Sequence, residues 1–334
     1  MNDLEPSARV VGVEVDDECV TAAIIEPGGG VVGPPITCRT ERSTSPEEAL
    51  RRCVTPTIEA AMRASDHPVA AVGIALPGTL RPEEGLCLLS TTLGWENVSV
   101  RDVISQALGL PTVIVNGVRA NLEGERHYGT GIGVDNLVCV SLGRTIEGSM
   151  CIQGRVYDGA SDSACEVGHL TVENDGQPCT CGNQGCLETV ASGPSVARMA
   201  TESLKLGAQS VLADWVSEDC PISAALVYRA ACEGDALAIR VWETVGRFLG
   251  FALSAVITVV NPQRIVVGGR VAGAFDWFAP AMFEEIRRRA RMVPRDYTQI
   301  VSSTLPQDAV VLGAAWHAFK ALREAESEIS AGIA

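Results

Sequence analysis

The 334-residue sequence predicts a duplicated α/β fold. Three apolar strand patterns are followed by alternating helix and strand patterns. That succession occurs twice. The length leaves room for two domains, each with its own core.

Arg9 to Val15 has the apolar run of a buried strand, and Cys19 to Ile25 is its hairpin partner. Gly28-Gly29-Gly30 turns the chain into a third strand near Val31. Ser45 to Ser65 carries helical spacing, with Ser45 as cap, Pro46 at the first position and acids in the first turn. Pro56 should kink or interrupt that helix. A strand over Val69 to Ala75 ends at Pro77-Gly78, a helix spans Val98 to Leu108, and a strand over Thr112 to Asn116 feeds a helix from about Arg119 to Tyr128. The second half reads as strands at Asn136 to Leu142 and Ser149 to Ile152. A long apolar helix follows from about Asp235 to Val260, ending at Asn261-Pro262. Then come a strand at Ile265 to Val267 and helices over Phe275 to Arg291 and Val310 to Glu326, with Ser327 to Ala334 expected to fray. Gly129-Thr130-Gly131-Ile132-Gly133 imitates a phosphate loop. It follows a helix and precedes a strand, the wrong order for a dinucleotide fingerprint, so it reads as a connecting turn.

Hydrophobic residues make up 46% of the chain, but no apolar run reaches 18 uninterrupted residues, so no membrane span is expected. Met1 to Ala8 is polar and acidic, without the basic and then apolar regions of a secretion signal. A cytoplasmic, reducing setting follows, and the twelve cysteines are expected as thiols. The net charge of −15 repels nucleic-acid backbones, so no nucleic-acid partner is expected. The longest basic run, Arg287-Arg288-Arg289, reads as a solvated helix face.

Three cysteines stand close together. His169, Cys179, Cys181 and Cys186 offer one imidazole and three thiols within eighteen residues, the four N/S ligands of a closed tetrahedral zinc site. Gly176, Gly182 and Gly185 let the backbone wrap around an ion, and Pro178 stiffens the entry. An exposed thiol cluster without metal would be prone to oxidation.

Glu166-Val-Gly-His169 followed by Cys179-Thr-Cys-Gly-Asn-Gln-Gly-Cys-Leu-Glu188 resembles the signature of the repressor/ORF/kinase (ROK) family. Gly73-Ile-Ala-Leu-Pro-Gly78, Leu93-Gly-Trp95, Gly154, Ile265-Val-Val-Gly-Gly269 and Gly313-Ala-Ala follow that family in order, from about Arg9 to Leu322. The resemblance implies a two-domain actin-like sugar kinase fold with an interdomain cleft. The first domain would comprise residues 9–117 plus 315–326, and a larger domain, 118–314, would carry the zinc. It implies that Asn116, Glu166, His169 and Glu188 hold sugar hydroxyls, with zinc fixing His169 and so positioning Glu166. A homodimer is implied too. The DNA-binding module of repressor members is expected to be absent, because the sequence opens on its first strand.

The nucleotide side departs from the family. Where its first phosphate loop reads roughly Asp-x-Gly-Gly-Thr-Lys, this chain reads Glu14, Val15, Asp16, Asp17, Glu18 and Cys19. A carboxylate ~5 Å from a phosphate charge costs roughly 3 kcal/mol at an effective dielectric near 20. The second loop, usually Gly-Thr-Gly-x-Gly-Gly-Gly, is Gly143-Arg144-Thr145-Ile146-Glu147-Gly148-Ser149. Gly117 stands where the catalytic aspartate belongs, and loss of a positioned base costs about 10²- to 10⁴-fold in rate. A Gly-Gly-Gly expected near adenine ends in Arg270, and Thr91 replaces an asparagine near the sugar. These changes count against ATP and Mg²⁺ binding. Arg119, Arg144 and Arg270 are expected either to pair with Asp16, Asp17, Glu18 or Glu147 and fill the nucleotide cleft, or to bind another anion. Three functions stay open. One is a pseudokinase acting as sensor or scaffold for a sugar, a cyclitol or a protein. Another is an enzyme of ATP-independent sugar chemistry with Glu166 and Glu188 as acid and base. The third is a kinase with a substitute base.

Overall fold

The computed structural model describes residues 8–40, 45–217, 220–293, 297–305 and 309–332. Most of the polar N-terminal stretch, up to residue 7, and the last two residues of the tail lie outside the described residues.

The first unit is built on β1 (Arg9–Val15), β2 (Cys19–Ile25) and β3 (Val31–Arg39). Ser45 caps α1 (Pro46–Ala49), its hydroxyl accepting from Glu48 N–H at 3.3 Å. The interruption expected of Pro56 is a π-helical turn, Leu50–Val54, that opens into α2 (Thr55–Arg63). Proline has no N–H to continue the ladder, and the wider turn lets Thr55 bond Leu50 O through both its N–H and its hydroxyl. β4 (Val69–Leu76) follows, then β5 (Thr79–Arg81), β6 (Leu86–Ser90) and β7 (Trp95–Ser99) as a small antiparallel sheet. Next come α3 (Val100–Leu108), β8 (Thr112–Asn116) and α4 (Gly117–Tyr128). The main sheet has the order β3-β2-β1-β4-β8, with β1, β4 and β8 parallel.

The second unit repeats this plan. β9 (Leu137–Leu142), β10 (Ile146–Ile152) and β11 (Arg155–Val156) form the antiparallel part. A 3-10 turn, Val167–His169, leads through a loop to α5 (Glu188–Ala191), α6 (Gly193–Lys205), α7 (Leu212–Trp215), α8 (Ala224–Cys232) and α9 (Ala236–Val260). β12 (Arg264–Gly268), a 3-10 turn at Arg270–Ala274, α10 (Phe275–Arg289) and β13 (Gln299–Ser302) complete it. The sheet order β11-β10-β9-β12-β13 matches the first sheet strand for strand, so the duplication expected from the sequence is present.

By length and composition α9 could cross a membrane, with a mean hydropathy of 1.5 in its most apolar window. Half of that window is buried, and Trp242, Val245, Leu249 and Leu253 belong to the second unit's core, which is where so apolar a helix has its place. Asp235 caps it through Ala238 N–H, and Asn261 ends it in the left-handed conformation. The basic run ends α10, where Arg288 and Arg289 pair with Glu285.

α11 (Ala309–Gly332) returns to the first unit. It is helical as far as Gly332, past the Glu326 end that the sequence suggests. Gly12 and Gly73 are register partners on β1 and β4, and α11 lies directly on them. A Cβ at Gly12 would run into the Val311 carbonyl oxygen, and one at Gly73 into that of Ala314. Gly73→Ala is expected to cost about 1–3 kcal/mol by forcing the helix off the sheet, and urea unfolding measures it.

The unit boundary falls at Ile132/Gly133, not before α4 as the sequence suggested. α4 packs closely on α11, with Gly124 against Ala309 O and Gly313 against Ala120 O, so it stays with the first unit. Between these helices Glu123, 4% exposed, receives Arg126 Nη1 at 2.8 Å, and His127 Nε2 lies 3.3 Å away. His127 stacks on Trp316 at 4.4 Å. Burial raises the Glu123 carboxyl, but close contact with His127 and the charges of Arg126, His127 and His317 outweigh it and hold the group below its usual range.

Candidate functional site

In the first unit the β1–β2 hairpin closes on itself. Asp16 Oδ1 accepts from Glu18 N–H and Cys19 N–H, both at 2.7 Å. Asp16 N–H donates to Cys19 O at 3.0 Å, and Thr40 Oγ1 donates to Asp16 O at 3.0 Å. A glycine-rich hairpin here would offer its N–H groups to a phosphate. These two are already bonded to a carboxylate of the same loop. The sequence showed the repulsion of Asp16, Asp17 and Glu18 toward an anion. It did not show that Asp16 itself accepts from these N–H groups.

Asn116 caps α4. Its Oδ1 accepts from Val118 N–H at 2.9 Å and Arg119 N–H at 3.3 Å, and its Nδ2 donates to Gly78 O at 2.9 Å. Among the described residues, its second amide hydrogen has no partner. Gly117 opens the helix with ordinary φ, and a Cβ there would meet no atom nearer than Leu76 O at 3.7 Å. A side chain could leave the backbone here without a clash at its first carbon, so glycine is not a steric necessity at this position. Arg119 lies close enough to His317 on α11 to disfavour its protonation. Thr91 is exposed in the turn after β6.

In the second unit, β10 and the segment from Cys165 to Gly168 are pressed together. A Cβ at Gly148 would strike Cys165 O, and one at Gly168 would strike Ile146 O. Glu166 is the centre of an inverse γ-turn, φ −69° and ψ 58°, closed by Val167 N–H to Cys165 O at 2.7 Å. Cys165 before it has φ +71°, a left-handed conformation unusual for a side-chain-bearing residue. Burial and then the Glu166 charge push its thiol up to about 12, so it remains unreactive. Glu188 begins α5, and its Oε2 accepts from Ile146 N–H at 3.0 Å. Glu147 follows Ile146 on β10. Burial first, then the charges of Glu166 and Glu188, raise its carboxyl, while a hydrogen bond with Thr145 opposes them. Arg144 and Arg270 are exposed.

His169, Cys179, Cys181 and Cys186 come together, their ligand atoms all within 4.8 Å of one another. His169 Nδ1 lies 3.6 Å from Cys179 Sγ, and Cys181 Sγ lies 3.7 Å from Cys186 Sγ. Zn–S bonds of ~2.3 Å and a Zn–N bond of ~2.05 Å at tetrahedral angles require an N–S edge of about 3.6 Å and an S–S edge of about 3.8 Å. The observed separations fit. The loop is braced by Cys179 N–H to Asn183 O at 2.8 Å and Leu187 N–H to Leu170 O at 2.9 Å. Asn183 Nδ2 donates to Cys186 Sγ at 3.5 Å and to Thr171 Oγ1 at 2.9 Å, a supporting role that the sequence reading did not assign.

The ROK family profile matches residues 12–321. A glucokinase of Halalkalibacterium halodurans is 30% identical over 313 residues, 92% of this chain and 93% of its own length. A ROK family glucokinase from Streptomyces griseus, solved with glucose and AMPPNP, is 26% identical with a TM-score of 0.82, covering 94% of this chain and all of that one. A ROK family transcriptional regulator, a homolog of the E. coli MLC protein, is 30% identical with a TM-score of 0.81, over 92% of this chain and 77% of its own.

Proposed function

Since this chain belongs to the ROK family, we propose that it binds a sugar-like ligand and has given up phosphoryl transfer by the family's route. The observation that carries the proposal is the Asp16 carboxylate bonded to the N–H groups of Glu18 and Cys19. Gly117 at the position of the base supports it independently. The function is that of a sensor or scaffold, with the ligand itself unchanged.

Glu166, His169 and Glu188 would hold hydroxyls. His169, Cys179, Cys181 and Cys186 would hold zinc, which supplies rigidity and no chemistry. With the metal on Nδ1, His169 keeps Nε2–H as a donor of fixed direction, and the turn bearing Glu166 is tied to it through His169 N–H to Glu166 O at 3.0 Å. The Glu188 carboxylate, held by Ile146 N–H at 3.0 Å, favours a second reading, ATP-independent acid–base chemistry with Glu166 and Glu188 as acid and base.

Calorimetric titration of MgATP into the zinc-loaded protein, with and without a panel of sugars, tests the proposal. The expected result is sugar binding without saturable ATP binding in any mixture. ATP binding that tightens with one sugar, together with sugar-dependent ATP consumption, would return the protein to the kinases. Conversion of a sugar without ATP would select the second reading. Gly117→Asp alone is expected to restore no transfer, since the hairpin remains closed. Phosphorylation by that single variant, measured with a coupled ADP assay, would show that Asp16 does not block the nucleotide.

A further inference from the structure

The metal centre is unevenly protected. Cys186 is fully buried and Cys179 is 9% exposed, whereas Cys181 is exposed, as are Cys220 and Cys232 elsewhere in the chain. Cys181 sits in a tight turn closed by Gly182 N–H to Cys179 O at 3.0 Å. Thr180, Gly182, Asn183 and Gln184 beside it are exposed too. Gly182 has φ +90°, and a Cβ there would meet nothing within 4 Å, so the turn is open to solvent next to Cys181. The Cys181 sulfur stands 3.7 Å from that of buried Cys186. A metal-bound cysteine is a thiolate at neutral pH, and the thiolate is the form that oxidants attack. An accessible thiolate with a second one in reach has the makings of a redox-sensing pair.

We infer that Cys181 is a site of oxidation by hydroperoxides, and that Cys186 resolves it as a disulfide, which empties the metal centre. With hydrogen peroxide as oxidant, the Cys181 sulfur attacks one peroxide oxygen. An S–O bond forms, the O–O bond breaks, and the departing hydroxide takes a proton to become water, leaving a sulfenic acid. The Cys186 sulfur then attacks the Cys181 sulfur. The S–S bond forms, the S–O bond breaks, and a second hydroxide leaves as water. Two electrons have passed from the two sulfurs to the peroxide. The sulfurs need to close by about 1.7 Å to bond. Cys179 is the poorer partner, because a bridge spanning only Thr180 would strain the backbone. Cys181 and Cys186 are separated by a longer stretch that includes Gly182 and Gly185. Once these sulfurs are joined, His169 and Cys179 are too few to hold a structural ion. The His169 ring is then released, and with it the turn tied to it through His169 N–H to Glu166 O at 3.0 Å. The inference rests on the zinc assignment in the proposed function and is independent of which sugar binds.

The test is titration of hydrogen peroxide into the zinc-loaded full chain carrying Cys220→Ser and Cys232→Ser, which removes the other exposed thiols. A chromogenic chelator follows the metal, and differential alkylation in denaturant follows the thiols. Each zinc released is expected to consume about two thiols. Cys165 and Cys179 should take the first alkylating reagent, and Cys181 and Cys186 only the second, added after reduction. Dithiothreitol and added zinc should restore the starting state. Cys181→His keeps four N/S ligands without the exposed sulfur and should hold its zinc through the same treatment. If that variant does not load zinc, the alkylation pattern of the parent decides. Zinc retained at a peroxide excess that oxidises Cys220 and Cys232 in the wild type would overturn the inference and leave the metal centre standing. So would release without a bond between Cys181 and Cys186. A chain purified with zinc that carries none would overturn the metal assignment and this inference with it.

Discussion

Cys186→Ser is expected to empty the metal centre and unfold the loop between Thr171 and Leu187. Cys186 is fully buried, and its sulfur stands 3.7 Å from that of Cys181. Thr171 bridges to Cys186 along the backbone, and Asn183 donates to its sulfur. Structural zinc contributes ~10–16 kcal/mol in small domains, so a loop with so little apolar packing has no comparable source of stability. Zinc per chain should fall from one to none, measured by elemental analysis. Limited proteolysis should cut inside the loop, and sugar binding should disappear because His169 and Glu166 lose their anchor. Cys220→Ser, at an exposed thiol outside the cluster, should change none of these. A wild-type chain purified with zinc that carries no metal, or a Cys186→Ser variant that keeps it, would remove the metal centre from the account.

Acid should weaken the first unit through His317. Burial leads in lowering its pKa from 6.5 to about 4, the charges of Lys320, Arg119 and His127 add to this, and Glu123 opposes them. Among the described residues its buried Nε2 has no hydrogen-bond partner. The unfolded chain binds a proton at 6.5 that the folded chain refuses until about 4. Stability is therefore full above pH 6.5 and falls as pH drops toward 4, by up to about 3 kcal/mol from this group. The depressed Glu123 carboxyl acts in the same direction at the lower end, its contribution disappearing as it protonates. Urea unfolding of the wild type and His317→Gln at pH 7.5, 5.5 and 4.5 separates the two. The variant should lose much of the slope between 6.5 and 4. An unchanged slope would show that His317 titrates normally in the fold.

Local patterns brought the strands β1, β2 and β4, the capped helices at Ser45 and Asp235, and the four metal-binding residues within reach of the sequence. Each depends on contacts a few residues apart or on a spacing that only one chemistry explains. The β5–β6–β7 sheet escaped because its strands are short, and much of what holds them is pairing across the sheet. α6 and α8 escaped because Gly193-Pro194 and the cysteine-bearing stretch to Cys232 conceal ordinary amphipathic helices. The start of β10 was placed three residues late because Ile146 and Glu147 were read as loop. The Asp16 turn was hidden for a different reason: charge is visible in a sequence, but which N–H a carboxylate will accept from is decided by the closing of a hairpin.

The return of α11 has a consequence for synthesis. β1 and β4 leave the ribosome early, yet the surface over Gly12 and Gly73 stays uncovered until Val311 and Ala314 have emerged. The whole of the second unit is made in between and has all its strands before α11 exists. The domain translated second is thus the first able to finish folding, and the earlier one waits with an open apolar sheet face. Chaperone binding to nascent chains should concentrate on that face, and a chain stalled near Leu305 should hold a complete second unit beside an unfinished first.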